Sequence, residues 1–122
     1  LLPHCAADTA RQDSAVETLK TALEFLETHC AEDVAIADVA AACYCSESHF
    51  MRFFRAHMGV SCGEYLKNLR LEKAAAALRS GEGSILDAAL SAGFRSLSYF
   101  YRAFREKYGV TPRQYALRAG SN

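Results

Sequence analysis

Four arginines form two matched pairs in this sequence, Arg52 with Arg55 and Arg102 with Arg105, fifty positions apart. Residues three positions apart on a helix lie on the same face, so each pair places two guanidinium groups side by side. A guanidinium is always charged and presents a rigid fork of donors that matches phosphate, carboxylate, or the O6 and N7 acceptors of guanine. Both pairs therefore offer the chemistry of binding anions or base edges.

The arginine pairs belong to a longer internal repeat. The segment SHFMRFFRAHMGVSCGEY at 48–65 aligns with SYFYRAFREKYGVTPRQY at 98–115. Each copy carries phenylalanines at i and i+4, which define an apolar face separate from the arginine face. Two copies are too few for a stacked array, so the repeat predicts two copies of one small helical unit. The matched residues are Ser46/Ser96, Ser48/Ser98, Phe50/Phe100, Arg52/Arg102, Phe54/Phe104, Arg55/Arg105, Gly59/Gly109, Val60/Val110 and Tyr65/Tyr115.

Helix signals run through the whole chain, and no segment alternates with the two-residue period of a strand. Serine caps and glycine terminators mark several boundaries: Ser46, Ser84 and Ser96 are predicted N-caps, while Gly59 and Gly109 are predicted helix ends. The sequence therefore predicts an all-α fold of seven helices. Their expected positions are 14–30, 36–43, 46–58, 63–79, 84–92, 96–108 and a last short helix after Thr111.

Composition limits the class of protein. The chain has 122 residues, about half of them apolar, which suits one compact domain with one or two cores. No apolar run approaches the roughly 20 residues needed to span a bilayer, so no membrane partner is expected. Five cysteines are an odd number, which excludes complete internal pairing and favours a reducing cytoplasm.

Charge is balanced overall but divided along the chain. Residues 1–45 hold eight acidic and two basic side chains, whereas residues 46–122 hold twelve basic and six acidic ones. The net charge is therefore −6 before residue 46 and +6 after it, although the whole chain sums to zero. Such asymmetry favours an electrostatic partner surface in the second part, with an acidic helix that merely caps a basic one as the alternative.

A short helix, a tight turn and a longer arginine-bearing helix recur at 36–58 and 85–108. This order is that of a helix-turn-helix, in which the second helix can lie in the major groove of DNA. Arginine can then bind guanine while neighbouring cations hold phosphates, and free amides at the helix N-termini add phosphate donors near Ser46 and Ser96. The pattern predicts binding to double-stranded DNA.

Residues 14–118 resemble the C-terminal DNA-binding domain of AraC/XylS-family transcription regulators. The resemblance implies two helix-turn-helix subdomains, at 14–60 and 81–118, joined by a long helix at 61–80. It also implies that residues 1–13 link to a missing N-terminal domain and that 119–122 form a tail. The most specific residues are Ile85, Ala89, Gly93, Phe94, Ser96, Tyr99, Phe100, Arg102, Phe104, Arg105, Tyr108, Gly109, Thr111, Pro112 and Tyr115.

The resemblance assigns two kinds of DNA contact. Residues expected to face bases are Ser48, His49, Met51 and Arg52 in the first reading helix, and Leu97, Ser98, Tyr101 and Arg102 in the second. Residues expected to contact the backbone are Ser46, Arg55, Lys67, Arg95, Ser96, Arg105 and Lys107. Two successive major grooves on one face of the duplex would receive the two helices.

Some positions depart from the usual family pattern. Tyr44 stands where the first turn usually has glycine, so a left-handed backbone there would cost about 1 kcal/mol. Ala88 replaces a larger aliphatic residue, and Ala116 replaces a common arginine. Met51 and Leu97 are apolar where polar readers are frequent, which points to contact with thymine methyl groups.

Other interpretations of these residues stay open at this stage. Cys43 and Cys45 with His49, and with His57 or Cys62, form a weak zinc pattern or a thiol redox pair. A helical protein-interaction module is a further alternative. Arg52 and Arg102 could instead pair with Asp38 and Asp87 on the surface. The residues expected in the core, rather than as stacking platforms for bases, are Phe50, Phe53, Phe54, Phe94, Phe100 and Phe104.

Taken together, the sequence predicts the double-stranded DNA-binding part of a bacterial transcription regulator. No nucleophile–base set or glycine-rich phosphate loop is present, so neither an enzyme nor a bound cofactor or metal is expected. Activation, RNA polymerase as a partner, and an effector-binding or dimerising N-terminal domain are implied by the family resemblance alone.

Overall fold

The computed structural model describes residues 2–120, with side chains from residue 14 onward, and contains seven α-helices and no strand in that range. The predicted all-α class is therefore confirmed. The helices are α1 (Leu2–His29), α2 (Ile36–Ala42), α3 (Glu47–Met58), α4 (Cys62–Ser80), α5 (Ile85–Ser91), α6 (Leu97–Tyr108) and α7 (Pro112–Gly120). None of them is long and apolar enough to cross a membrane.

The two ends of the chain differ from expectation. The first helix was expected to begin near residue 14 after a loose linker, but α1 already begins at Leu2. Pro3 lies in the first turn, where a missing N–H is tolerated, and the alanines that follow favour helix. The expected tail at 119–122 is also shorter, because α7 includes residues 119 and 120; residues 121 and 122 lie outside the described part.

The chain divides into two compact units. The first unit comprises residues 1–28 and 34–62, and the second comprises residues 29–33 and 63–122. Each unit contains one short helix and one longer helix in contact, α2 with α3 in the first and α5 with α6 in the second. The expected repeat of a small helical device is thus present as two separate units.

The first unit buries the apolar face of α3. Phe50 and Phe54 are fully buried, with their ring centroids 5.7 Å apart. Leu26 of α1 and Val39 of α2 are also fully buried. Val16, an apolar residue near the start of the described side chains of α1, is by contrast 54% exposed.

The second unit has a larger aromatic core. Phe100 and Phe104, which correspond to Phe50 and Phe54, are fully buried, and Phe94 is 5% exposed. Tyr108 and Tyr115 pack at its edge, with their centroids 4.5 Å and 5.3 Å from that of Phe104. Other members of the core are Leu71, Ala74, Ala75, Leu78, Ala88, Ala89, Ala92 and Ala103.

Both turns have the same hydrogen-bond pattern at the end of the short helix. In the first unit the N–H of Tyr44 donates to Ala41 O and that of Cys45 to Ala40 O. In the second unit Gly93 and Phe94 make the equivalent bonds to Leu90 O and Ala89 O. This is the Schellman arrangement, which needs a left-handed residue after the helix. Tyr44 has φ 57° and Gly93 has φ 106°, so the left-handed backbone expected at Tyr44 is present.

The repeat extends further upstream than the alignment at fifty positions showed. The Schellman residues Tyr44 and Gly93 are 49 positions apart, while the caps Ser46 and Ser96 are 50 apart. The second turn is therefore one residue longer, and Arg95 is the extra residue. With the offset of 49, Asp38 aligns with Asp87 at the third position of α2 and of α5.

Candidate nucleic-acid interface

Serine and glycine set the limits of α3, the first of the two helices predicted to read bases. Ser46 is the N-cap, and its Oγ accepts from the N–H of His49 at 3.2 Å. Gly59 ends the helix with φ 78°, and its N–H donates to Arg55 O at 2.9 Å. These boundaries confirm the predicted cap and terminator. They also fix which side chains lie opposite the buried Phe50 and Phe54.

The residues predicted to read bases in the first unit are all exposed on α3. Met51 is 49% exposed, although it is apolar. Arg55, predicted to contact phosphate, is exposed as well. The structure thus brings the predicted set together on one helix and leaves it open to a partner. The exposed predicted residues are Ser46, Ser48, His49, Met51, Arg52 and Arg55.

Phe53 is not a core residue, contrary to expectation. It is only partly buried, and its ring lies between two histidines, with centroids 6.5 Å from His49 and 4.3 Å from His57. His57 Nδ1 lies 2.9 Å from Phe53 O. Position 53 falls between the buried and the exposed faces of α3, so periodicity alone could not place it.

α6, the second helix predicted to read bases, has the same kind of cap and terminator. Ser96 accepts from the N–H of Tyr99 at 3.2 Å, and Gly109 ends the helix with φ 75° and a bond to Arg105 O. Leu97 and Tyr101 are 40% and 37% exposed. All predicted contact residues of this helix are exposed: Ser96, Leu97, Ser98, Tyr101, Arg102, Arg105 and Lys107.

A concave surface lies along the exposed side of α6. Tyr101, Arg102, Arg105, Glu106 and Thr111 line a pocket of about 580 Å³. Two guanidinium groups and one carboxylate reach this surface, so it is cationic. Thr111 opens α7, where its Oγ1 accepts from the N–H of Gln114 at 3.1 Å.

Two predicted backbone contacts already have acidic partners. Lys67 Nζ lies 2.8 Å from Glu64 Oε2, and the Lys67 side chain is 23% exposed. The hydrogen bond to Glu64 raises the pKa of Lys67, so its ammonium stays charged. Arg95 Nη2 lies 3.4 Å from Asp33 Oδ2 on the surface of the second unit. These two cations are less available to phosphate than Arg55 and Arg105.

Among the described residues, Arg52 and Arg102 do not form the alternative ion pairs with Asp38 and Asp87. Asp38 Oδ2 accepts from the N–H of Ala35 at 3.0 Å, and Asp87 Oδ2 accepts from that of Ser84 at 2.9 Å. Both carboxylates therefore cap the helix that carries them. The pKa of Asp87 is lowered by its hydrogen bonds with Ser84, first that of the Ser84 backbone N–H and then that of the Ser84 side chain.

Cys43, Cys45 and Cys62, the cysteines of the first unit whose side chains the structure describes, are free thiols. Burial raises the pKa of Cys62 to about 11, with a smaller effect of Cys43, and burial also raises the pKa of Cys43. Cys43 Sγ lies 3.7 Å from Thr18 O, and Cys45 Sγ lies 3.3 Å from Cys43 O. Within the described side chains no group of three or more His, Cys, Asp and Glu could hold a metal ion.

Sequence reasoning missed the role of Arg70. Its Nε donates to Cys30 O at 2.6 Å and its Nη2 to Glu32 O at 2.9 Å, which fixes the loop at 29–33 in the second unit. A Cβ at Gly93 would lie 2.6 Å from Cys30 O and 2.9 Å from Arg70 Nε. In the sequence Arg70 was only one of twelve basic residues after position 45, and no local pattern links it to a loop forty positions away.

Two units, each with a short helix, a Schellman turn and a capped, arginine-bearing helix, define a helix-turn-helix domain. A sequence model of the helix-turn-helix domain family matches residues 39–118. The chain belongs to this family, in its AraC type, and is a DNA-binding domain of transcription regulators. The resemblance found in the sequence is confirmed.

Curated and solved relatives agree with this assignment. The regulatory protein PocR of Salmonella typhimurium is 31% identical over 104 residues, which are 85% of this chain and 34% of PocR. The chain thus spans about a third of the length of the curated relatives it matches.

Solved structures show the same fold. An AraC-type transcriptional regulator from Chromobacterium violaceum superposes with a TM-score of 0.78 at 26% identity, over 84% of this chain and 92% of that one. The DNA-binding domain of AdpA, a global transcriptional factor solved in complex with a target DNA, superposes with a TM-score of 0.80 at 26% identity. That match covers 84% of this chain and 93% of the AdpA domain.

Proposed function

We propose that this chain gives a bacterial transcription activator its sequence specificity, by placing α3 and α6 in two successive major grooves of its operator. The observation that carries the proposal is the matched pair of exposed arginine faces, Arg52 with Arg55 and Arg102 with Arg105, opposite fully buried phenylalanines. A packed apolar face fixes the rotation of each helix. The arginines are therefore presented in a defined direction, as base recognition requires.

The exposed residues divide into two proposed roles. Base contacts are assigned to Ser48, His49, Met51 and Arg52 on α3 and to Leu97, Ser98, Tyr101 and Arg102 on α6. Backbone contacts are assigned to Arg55, Arg105 and Lys107 and to the helix N-termini at Ser46 and Ser96. Lys67 and Arg95 join the second group only if they leave their acidic partners.

The remaining properties belong to the parent protein and follow from the family resemblance. We propose a cytoplasmic regulator whose N-terminal domain binds an effector or dimerises, and which activates transcription through RNA polymerase. The proposal assigns no catalytic step to this chain. The AdpA domain bound to its target DNA supports the choice of duplex DNA as the partner.

Selection of bound sequences from a random duplex pool tests the proposal directly. We expect an enriched motif with two conserved segments. Log affinity for that motif should fall linearly with log salt, by about 0.9 per neutralised phosphate. A pool that yields no motif, together with a salt slope near zero, would instead favour a protein-interaction module.

Arg102 and Arg105 allow the two kinds of contact to be separated on one helix. Arg102→Ala should cost about 1–3 kcal/mol and relax the preference at one or two base pairs. Arg105→Ala should weaken binding to all sequences alike and reduce the salt slope by about one. Both are read from binding isotherms on the selected site and its single-base variants. An unchanged base preference in Arg102→Ala would show that this arginine does not read a base.

A further inference from the structure

The guanidinium of Arg102 lies over an aromatic ring of its own helix. Its Cζ is 5.6 Å from the ring centroid of Tyr99, one turn earlier on α6. A cation within about 6 Å of a tyrosine face is attracted by the ring quadrupole. Tyr99 is 41% exposed, so the contact lies at the surface of the second unit.

The ring of Tyr99 is itself supported from the core. Its centroid lies 6.1 Å from that of Phe94, which in turn lies 4.9 Å from that of Phe100. Phe100 is fully buried and Phe94 is 5% exposed. A continuous series of aromatic contacts therefore leads from the core of the second unit to the exposed Arg102.

Among the side chains that the structure describes in the first unit, no ring gives Arg52 equivalent support. His49 occupies the position of Tyr99, and its ring stacks on Phe53 rather than on Arg52. Cys45 occupies the position of Phe94 in the turn and supplies no ring. No cation–π contact of Arg52 occurs among the described side chains. The two reading arginines thus differ in how they are held, although the sequence makes them look alike.

We propose that Tyr99 is a positioning residue: it holds the guanidinium of Arg102 in place before DNA arrives and thereby sharpens the base preference at the site that Arg102 reads. This inference rests on the proposed base contact of Arg102. An arginine side chain has high rotamer entropy, and ordering it in the free protein reduces what must be lost on binding. Arg52 lacks this support, so the second unit should discriminate more sharply per arginine than the first.

The mobility of the arginine side chains in the DNA-free protein tests the positioning by itself. The ¹⁵N relaxation of Arg Nε should show Arg102 more ordered than Arg52 in the wild type. Tyr99→Leu, which keeps an apolar side chain beside Phe94, should lower the order of Arg102 and leave Arg52 unchanged. Tyr99→Phe, which keeps the ring, should preserve it. Equal order of Arg102 in the wild type and in Tyr99→Leu would overturn the inference, whatever the DNA measurements give.

Binding to the selected site and its single-base variants tests the consequence for specificity. Tyr99→Leu should reduce discrimination at the base pair that depends on Arg102 by roughly two- to fivefold, the range of an exposed cation–π contact. Tyr99→Phe should retain the discrimination. In an Arg102→Ala background, Tyr99→Leu should have no further effect on base preference.

Three outcomes separate this inference from the proposed function. If Tyr99→Leu weakens binding equally with and without Arg102, the ring has a structural role only, and the inference is wrong. If Tyr99→Phe loses affinity on all sequences, the hydroxyl contacts DNA directly, which also overturns it. If Arg102→Ala leaves base preference unchanged, the base contact itself fails, and the specificity role of Tyr99 fails with it, even where relaxation shows an ordered arginine.

Discussion

The two helix-turn-helix units have the same order of helices and caps, but they differ in the residues that pack against the arginine-bearing helix, α3 in the first unit and α6 in the second. Both have a serine cap, a left-handed glycine end and two fully buried phenylalanines. At the last residue of the Schellman turn the first unit has Cys45 and the second has Phe94. Cys45, His49 and Phe53 line an open pocket of about 470 Å³ in the first unit. In the second unit Phe94 packs against Phe100 and Tyr99, and the pocket lined by Phe94 and Tyr99 is smaller, about 230 Å³. At this matched position an aromatic ring therefore packs beneath the helix of the second unit, whereas a smaller cysteine side chain occupies it in the first.

The two units also differ in net charge. By sequence, the first unit holds four Lys and Arg against seven Asp and Glu, a net charge of −3. The second holds ten Lys and Arg against seven Asp and Glu, a net charge of +3. Attraction to phosphate falls off within a Debye length of about 8 Å at physiological salt, so each unit's own charge matters most. The second unit therefore attracts phosphate more strongly than the first, and its arginine-bearing helix also packs on the aromatic ring of Phe94.

The largest effect that distinguishes the units is expected at Cys45 and Phe94. Phe94→Ala should destabilise the second unit by about 3–5 kcal/mol, because it removes a buried ring and leaves a cavity. Cys45→Ala, at the matching position, should cost less than about 1 kcal/mol, since its site is already open. Urea unfolding combined with amide hydrogen exchange resolves the two units. Equal losses in both variants would show that the two turns are equally well packed.

A smaller difference in stability between the units is expected from substitutions at Tyr44 and Gly93, the residues with a left-handed backbone in the two turns. Gly93→Ala should destabilise the second unit by about 2–4 kcal/mol, because φ 106° strains any side chain and the new Cβ would meet Cys30 O. Tyr44→Gly should change stability by less than about 0.5 kcal/mol, since relief of about 1 kcal/mol of strain is offset by the entropy of glycine. The same unfolding measurements apply. A tolerated alanine at 93 would mean that the loop at 29–33 moves away easily.

The smallest effect concerns the ion pair between Asp33 and Arg95. Both side chains are about three-quarters exposed, so the pair adds little to stability. If Arg95 contacts the DNA backbone as proposed, the pair would compete with phosphate for its guanidinium. Asp33→Asn should raise DNA affinity by about two- to threefold at low salt. Glu32→Gln is the matched control, because Glu32 pairs with His29 instead. A gain that persists in an Arg95→Ala background would show simple removal of a negative charge, not release of Arg95.

The parts of the fold with local causes were predictable from sequence. Caps such as Ser46 and Ser96, terminators such as Gly59 and Gly109, and the buried i, i+4 phenylalanines depend on neighbours within one turn of helix. The exposed arginine faces followed from them. Two features that depend on distant residues were missed: the contacts of Arg70 with the loop at 29–33, and the Asp33 partner of Arg95. Two closer contacts were missed as well, the Glu64 partner of Lys67 and the packing of Phe94 against Tyr99, because helix periodicity places side chains on a face but does not say which neighbours pair. Phe53 was misplaced because it lies at the edge of the apolar face, where periodicity gives no answer.

The extra residue Arg95 in the second turn has an evolutionary consequence. α3 and α6 each begin at a serine N-cap, Ser46 and Ser96. The face on which a residue lies therefore depends on its distance from that serine, not on the length of the preceding turn. One codon can therefore be gained or lost in the turn while the arginine and phenylalanine faces keep their composition. The length of the turn can therefore change without changing which residues are exposed on α3 and α6. The two units can thus differ in the length of the turn while the residues proposed to contact DNA keep the same spacing on α3 and α6.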